Sequence, residues 1–496
     1  MSAGALYVAV DLGAGSGRVF TGMLGPGGLE LEQVARFRYP AREVDGHLRW
    51  DFPAILREIR AGLGLAAERA RATRRQVASV GVDSWGVDYG LVDADGRLLE
   101  DPISYRDGRT EDIMPRVFAR VPREEIFART GIQFLPINTL FQLAAHVEQG
   151  LPGSAHRLLM IPDLVTAALT GREVTEFTNA TTTQMVHVET RRWDTALLER
   201  LGLPSSLCAG IVEAGSRVGT LLENGGDDHG LAGVPLTAVA THDTGSAVAG
   251  TPLDEGWAYI SSGTWSLVGL EIQQPLVTPN VARANVTNEG GAYGTTRFLK
   301  NVMGLWILES CREEWERGGL DVRYDHLLDE VALLEETPAV IYPDDPHLLH
   351  PQSMLSALAD QLRATGQRLP DTPSALARSV LDSLALRYAS VLRDLSRLTN
   401  SAIRGVRIVG GGSRNGYLNQ AAATTTGVPV AAGPVEATVA GNVLVQAVAS
   451  GEVPSLAVAR RQAAAGLPRR VFMPRPDGSW TRAAARYAEI EARFAL

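Results

Sequence analysis

The chain opens with apolar runs separated by glycine-rich turns. "ALYVAVD" is an unbroken apolar run ending in an acid, "GRVFTGML" follows a Gly-rich turn, and "GLELEQVARFRY" alternates outward charge with inward apolar residues. Short apolar runs and period-two alternation between turn residues predict three successive strands. "DFPAILREIRAGLGLAAERARA" changes to a helical period, with Asp51 as cap, Pro53 in the first turn, and Ile55, Ile59, Leu63 and Ala66 on one face. Gly62 and Gly64 weaken that helix. In "VASVGVDSWGVDYGLVD" two more short strands flank "DSWGVD", where a hairpin would carry glycine or asparagine rather than an indole. The order predicts a mixed sheet with helical cover.

The second half repeats the theme. "GWAYISSGTWSLVGLE" reads as strand, tight turn and strand, and "GVRIVGGGSRNGYLNQ" as strand, triple-glycine turn and helix start. "SALARSVLDSLALRYASVLRDLSRL" carries the strongest helical stripe, through Leu376, Val380, Leu384, Val391 and Leu395. Two homologous domains follow from the repeated strand–turn–strand unit: residues 1–246 and 247–496, divided near the polar turn "GTPLDEG". Residues 318–372 read only as a partly helical insertion.

Composition narrows the class. A chain of 496 residues exceeds one ordinary core, and 45% hydrophobic with 21% charged residues is a soluble globular balance. A net charge of -9 argues against a nucleic-acid binder held by general phosphate attraction, so a bound phosphate must be met locally. The two cysteines, Cys208 and Cys311, are far apart and outside metal-ligand spacing, which suits a reducing compartment. The N-terminus lacks a basic leader, and the late apolar segment "GVPVAAGPVEATVAGNVLVQAVASG" is broken by prolines, an acid and glycines. A cytoplasmic protein with no membrane span is expected.

Four clusters carry candidate chemistry. In "DLGAGSGR" the glycines turn backbone N–H groups toward an anion, and Ser16 and Arg18 add donors, yet the turn leads into a strand, unlike a P-loop or a Rossmann turn. "SSGTWS" occupies the equivalent turn of the second half, where Gly263 and Thr264 can donate to a phosphate. "GGGSRN" permits close approach of a flat ligand. "THDTGSA" ends an apolar strand; His242 has no partner at zinc-ligand spacing, and Asp243 is either a helix cap or an acid facing a substrate.

Taken in order, "DLGAGSGR", "GVDSWGVDYGLVD", "THDTGSA", "SSGTWSLVG", "LKNVMGLWILES" and "IVGGGSRNGYLNQ" resemble the FGGY carbohydrate kinases of the actin/Hsp70/sugar-kinase superfamily. The resemblance implies an α/β fold of two ribonuclease-H-like (actin-like ATPase) domains, each with a mixed five-stranded sheet and helices, around a cleft. It implies ATP and Mg²⁺ as cofactors, a small-molecule ketose as substrate, no nucleic-acid or membrane partner, and a monomer or homodimer. Within the family, the resemblance carried by "YRDGRT", "TGIQFLPINTLFQL", "LTGREVTEFTNATTTQM" and "NVTNEGGAYGTTRFLKNVMGLW" implies L-rhamnulose, phosphorylated at its 1-hydroxyl, ahead of another ketose such as L-fuculose or xylulose, with a non-catalytic nucleotide switch of the same superfamily as the further alternative.

Residue by residue, the same resemblance implies that Ala14, Gly15, Ser16, Gly17 and Arg18 line the ATP phosphates and that Asp11 orders Mg²⁺ through water. Gly263 and Thr264 would meet the γ-phosphate, and Gly410, Gly411, Gly412 and Asn415 the adenine and ribose. Trp85, Gly86, His242, Asp243, Thr244 and Asn301 would hold the sugar, with Asp243 as catalytic base. Glu309 departs from the pattern, being acidic where a relative places a nucleotide-contacting Gln. Trp85 would offer an apolar face to a 6-deoxy sugar, while Asp83 and Asp88 would either accept sugar hydroxyls or be structural.

Overall fold

Leu6–Gly13 forms the central strand because it can be buried on both faces, and every residue but the last is. Val77–Ser84 pairs with it in parallel and Ser16–Gly25 antiparallel. The computed structural model describes residues 5–223, 230–466, 470–475 and 478–494. Its first sheet runs Arg217–Thr220, Pro235–Thr237, Val77–Ser84, Leu6–Gly13, Ser16–Gly25, Gly28–Arg38. That is six strands where five were expected: Arg217–Thr220 adds an antiparallel edge to Pro235–Thr237, satisfying backbone groups a five-stranded sheet would leave open.

The chain divides into two units. The first comprises Met1–Pro252, Glu271–Phe298 and Ala437–Leu467, the second Leu253–Leu270, Leu299–Glu436 and Pro468–Leu496. The chain thus first leaves unit one after Pro252, and two later segments rejoin it.

Two helix contacts in the first unit explain glycines that helix propensity alone disfavours. Helix Phe52–Ala72 starts where the Asp51 carboxylate accepts the Ala54 N–H at 2.9 Å, and it buries Ile55, Ile59, Leu63 and Ala66. A Cβ on Gly62 would lie 2.5 Å from Val19 Cγ2, so the glycine read as a weakness is where helix meets strand. Helix Asp243–Ala249 crosses helix Ala437–Ala449 at backbone contact. A Cβ on Gly441 would land on the Ser246 carbonyl, and one on Gly250 on the Ala437 carbonyl. The late apolar segment is therefore a short strand, Val430–Ala432, and a buried 13-residue helix; no helix among the described residues is long and apolar enough to cross a membrane.

Among the described residues the second sheet has seven strands where five were expected, and in the second unit Trp265–Ile272, Trp257–Ser262, Gly405–Val409, Val430–Ala432 and Arg470–Phe472 pair in that order. Helix Pro373–Thr399, capped by Thr372, packs on this unit with Leu376, Val380, Leu384, Val391 and Leu395 buried as its stripe predicts. The segment unplaced from sequence holds helices Tyr324–Leu333 and Met354–Ala364. Gln361 ties the latter down, accepting the Tyr342 N–H at 2.9 Å and donating to Asp345 at 2.8 Å.

Candidate functional site

The first glycine turn joins two strands of the first sheet, and Asp11 and Arg18 face one another across that pair and form a salt bridge. Ala14 and Gly15 make the tip; Gly15 has φ +126°, and nothing lies within 4 Å of where its Cβ would be. That is an open, backbone-lined face suited to a bulky anion. Gly17 has a different reason for being glycine, because the Phe37 ring occupies its Cβ position. Ser16 is half-buried beside the tip.

Tyr39 holds this turn from beneath. Its hydroxyl lies 2.8 Å from the Gly13 carbonyl and 3.0 Å from that of Ser16, and its N–H donates to the Gly15 carbonyl at 3.0 Å. Its ring packs against Trp50 and Trp85, with centroids 6.2 and 6.1 Å away. Burial raises the phenol pKa well above its usual value, and the charges of Asp11 and Asp243 add to this, so the hydroxyl stays a donor.

Parallel register sets Asp83 directly beside Asp11. Asp83 is wholly buried, and its carboxyl is pushed well above the usual range by that burial first and by Asp11 next. The Asn442 amide opposes the shift, donating to Oδ2 at 2.6 Å. Asp243 enters from the other side, because Ser84 bridges His242 in parallel and donates its N–H to the Thr241 carbonyl at 2.8 Å. His242, not Asp243, is the N-cap of helix Asp243–Ala249, and its side chain makes no capping bond. The Asp243 carboxylate accepts the Thr244 N–H at 2.5 Å and lies 3.2 Å from the Thr244 hydroxyl. Although 31% of the Asp243 side chain is exposed, its buried surroundings raise the pKa; His242 pulls it down and Asp11 raises it further.

The "DSWGVD" break is accounted for by its neighbours. Trp85 is only 5% exposed, and both Trp50 and Trp85 donate their indole N–H groups to one oxygen of Asp88, at 2.8 and 2.9 Å. Gln142 lies 3.2 Å from the other oxygen, so the structure gives Asp88 protein partners on both sides. Burial raises the Asp88 pKa to about 6, despite these bonds. A Cβ on Gly86 would sit tightly, 3.0 Å from Thr182 Oγ1 and 3.3 Å from His242 Nε2, a crowding that glycine avoids. Val87 follows in the left-handed region at φ +70°, a strained geometry for a β-branched residue. Its carbonyl is held there by the Thr139 hydroxyl at 2.7 Å and the Gln142 amide at 3.1 Å.

In the second unit, "SSGTWS" and "GGGSRN" meet. Gly410, at φ +78°, and Gly412 pack directly on Ser262, where any Cβ would collide. Thr264 is exposed at the turn between Trp257–Ser262 and Trp265–Ile272, and Gly263 closes it by donating to the Trp265 carbonyl at 2.8 Å. "NVMGLW" braces this turn: the N–H groups of Gly304 and Trp306 reach the Thr264 carbonyl, and that of Leu305 reaches Gly263. Asn301 lies half-buried in Thr296–Met303, and Gly411 is exposed. Asn415 caps helix Gly416–Thr426, accepting the Leu418 N–H at 2.9 Å while its amide donates to the Tyr324 hydroxyl at 3.1 Å. Glu309 is exposed in the first turn of helix Trp306–Arg317, paired with Arg312 at 2.8 Å.

The first unit therefore gathers Asp11, the turn 14–18, Asp83, Gly86, His242, Asp243 and Thr244, while the second gathers Gly263, Thr264 and Gly410–Gly412. Sequence reasoning missed Tyr39, Thr182, Glu289 and Arg297. The last two surround His242: Arg297 lies 3.0 Å from its Nδ1 and 3.1 Å from Glu289. The available signal was an arginine directly before the apolar pair Phe298–Leu299 in "TTRFL", which needs a buried partner if that segment is a core strand.

The family model of the FGGY carbohydrate kinases matches in two parts, the N-terminal domain over residues 6–250 and the C-terminal domain over 258–450. The chain is 42% identical over 477 residues to a rhamnulokinase of Bacteroides thetaiotaomicron, covering 96% of this chain and 97% of that one. It is 37% identical to one from Bacillus subtilis, covering 95% of this chain and 96% of that one. Among solved structures, a gluconate kinase from Lactobacillus acidophilus superposes with a TM-score of 0.81 at 16% identity, covering 100% of this chain and 99% of that one. A Plasmodium falciparum glycerol kinase with ADP gives 0.77 at 15%, covering both chains fully at 100%. These last two show the shared fold, and the full-length sequence matches show the lineage: the chain belongs to the FGGY family of carbohydrate kinases.

Proposed function

We propose that the chain transfers the γ-phosphoryl group of ATP to the 1-hydroxyl of L-rhamnulose, giving L-rhamnulose 1-phosphate and ADP in L-rhamnose catabolism. The observation that carries this reading is identity of 37–43% to rhamnulokinases over at least 95% of the chain. Phosphoryl transfer passes through a loose transition state, so catalysis is alignment and charge stabilisation rather than covalent chemistry. Asp243 is the base: its carboxylate is fixed by Thr244, reaches solvent, and has a raised pKa that makes it a better proton acceptor. Proton transfer to it accompanies bond formation at phosphorus, so no free alkoxide is required.

Asp11 is the residue to hold Mg²⁺, through water, beside the phosphate turn 14–18. Among the described residues no three His, Cys, Asp or Glu side chains form a metal cluster. A kinase Mg²⁺ takes one or two carboxylates and fills its shell with phosphate oxygens and water, so a single buried carboxylate fits. When bound, the ion neutralises charge on the β- and γ-phosphates. Thr264 would donate to the γ-phosphate, with Gly263, whose N–H is bonded to the Trp265 carbonyl, lining the turn beside it, and Gly410–Gly412 would face the adenosine.

Gly86, rather than Trp85, is the closer approach for the sugar, since the Trp85 indole is buried and its N–H is bonded to Asp88. His242, Thr244 and Asn301 would complete the sugar's hydrogen bonds. A stereoisomer with one hydroxyl inverted leaves a buried group unpaired, which costs about 1–3 kcal/mol and roughly 5- to 150-fold in kcat/KM. The test is kcat/KM for L-rhamnulose beside L-fuculose, L-xylulose, D-xylulose and glycerol, with the phosphate position read by NMR. A tenfold preference for D-xylulose or glycerol would sink the substrate assignment and leave the kinase standing.

A further inference from the structure

Arg297 is wholly buried in the strand Thr296–Met303, between Thr296 and the apolar Phe298 and Leu299. Its Nε donates to the Gly290 carbonyl at 2.7 Å, and one terminal nitrogen lies 3.1 Å from Glu289 Oε2. The other lies 3.0 Å from His242 Nδ1 and 3.4 Å from the Thr178 carbonyl. A guanidinium has donors and no acceptor, so the Nδ1 it faces must offer a lone pair. The ring of a neutral His242 then carries its hydrogen on Nε2. That nitrogen lies 3.4 Å from Asp243 Oδ1 and would be 3.3 Å from a Cβ on Gly86, so it faces the catalytic side.

Glu289 makes the choice of tautomer consequential. Its Oε2 is 3.5 Å from the same Nδ1, and a carboxylate alone there would draw the ring hydrogen to Nδ1. Nε2 would then accept where it now donates. Arg297 prevents this by placing a donor against Nδ1 and taking the Glu289 charge for itself.

We propose that Arg297, anchored by Glu289 and the Gly290 carbonyl, is a positioning residue that fixes His242 as the Nε2–H tautomer, so that the ring donates to an acceptor oxygen of the bound ketose. The inference rests on the sugar-side reading of His242 given above. It adds a polarity to that contact: the site selects for a lone pair on the sugar at this point. Glu289 and Arg297 both touch His242 at Nδ1, the ring nitrogen away from Asp243.

The experiment uses the full chain labelled with ¹⁵N-histidine near neutral pH, with the His242 signal identified by its loss in His242→Gln. The expected spectrum shows a protonated Nε2 and an unprotonated Nδ1 before any sugar is added. The reverse tautomer overturns the proposal, whatever the substrate proves to be. Arg297→Lys keeps the charge but cannot reach Gly290, Glu289 and His242 together, and should give a mixture of tautomers. Its kcat/KM for L-rhamnulose should fall about tenfold, mostly through KM, because part of the protein presents the wrong partner to the sugar. Glutamine donates without a tautomer to choose, so in the His242→Gln background Arg297→Lys should add less than about a twofold loss. Equal losses in both backgrounds would refute positioning through the ring. If Arg297→Lys does not fold, the wild-type spectrum still decides. Absence of activity on any ketose together with the expected tautomer would remove the substrate reading and the ketose contact with it, and leave the fixing of the ring by Arg297 standing.

Discussion

Removing one oxygen from Tyr39 tests whether the first glycine turn is held ready for its ligand. Tyr39→Phe deletes the hydroxyl that reaches the Gly13 and Ser16 carbonyls and leaves the ring against Trp50 and Trp85. A typical hydrogen bond is worth about 0.5–1.5 kcal/mol net, and an orphaned buried acceptor costs about 1–3 kcal/mol. Gly13 and Ser16 are half-buried, so water can replace the lost donor and the lower range applies. About 1 kcal/mol corresponds to roughly a fivefold change, expected in kcat/KM for ATP at saturating sugar. The KM for the ketose should move less than about twofold, since the aromatic cluster and Asp88 are untouched. Tyr39→Ala removes the ring too, at about 3–5 kcal/mol, and should damage sugar and nucleotide kinetics together. Steady-state kinetics with each substrate varied, beside urea unfolding of each variant, separates the two. If Tyr39→Phe lost ketose affinity and kept wild-type ATP kinetics, the turn 13–18 would not be the nucleotide side.

Asp243→Asn should fold, bind both substrates and lose roughly 10²–10⁴-fold in turnover. Because the Asp243 pKa is raised, wild-type activity should fall on the acid side at a pH above the ordinary carboxylate range, and this limb should vanish in the variant; a near-wild-type rate would make the residue structural. Gly441→Ala places a Cβ on the Ser246 carbonyl and should force apart the two helices that carry Asp243 and Asn442. A loss of about 1–3 kcal/mol or more in urea unfolding is expected, and an unchanged midpoint would refute the close crossing. Lys300 is the single lysine in the chain, and burial first, then Arg387, lowers its pKa to about 8. A ¹³C-lysine label should therefore give one signal titrating near 8; the folded pKa lies below the unfolded one, so wild-type stability relative to Lys300→Met should rise from pH 8 toward 10.5.

Periodicity and turn chemistry are local, and what depends on them was legible in the chain. The helix from Phe52 with its Asp51 cap, the long helix Pro373–Thr399 and the three opening strands all follow from spacing within a few residues. The glycine turns were visible for the same reason, since φ of +126° at Gly15 and +78° at Gly410 demands glycine wherever the turn occurs. Asp11 and Asp243 stood out as acids closing apolar runs. The partners of these residues were not legible. Asp83 comes beside Asp11 only through strand register, and Tyr39 reaches the first turn only because the third strand returns alongside it. Arg297 and Glu289 meet His242 from more than forty residues away, in a segment whose own spacing gives no reason for the contact. Whether Asp88 is structural, or Gly62 a weak point, depended on Trp50, Trp85 and Val19 being packed against them. Hydrogen-bond saturation and van der Waals exclusion are properties of neighbours in space, and the chain alone names the groups without saying which of them touch.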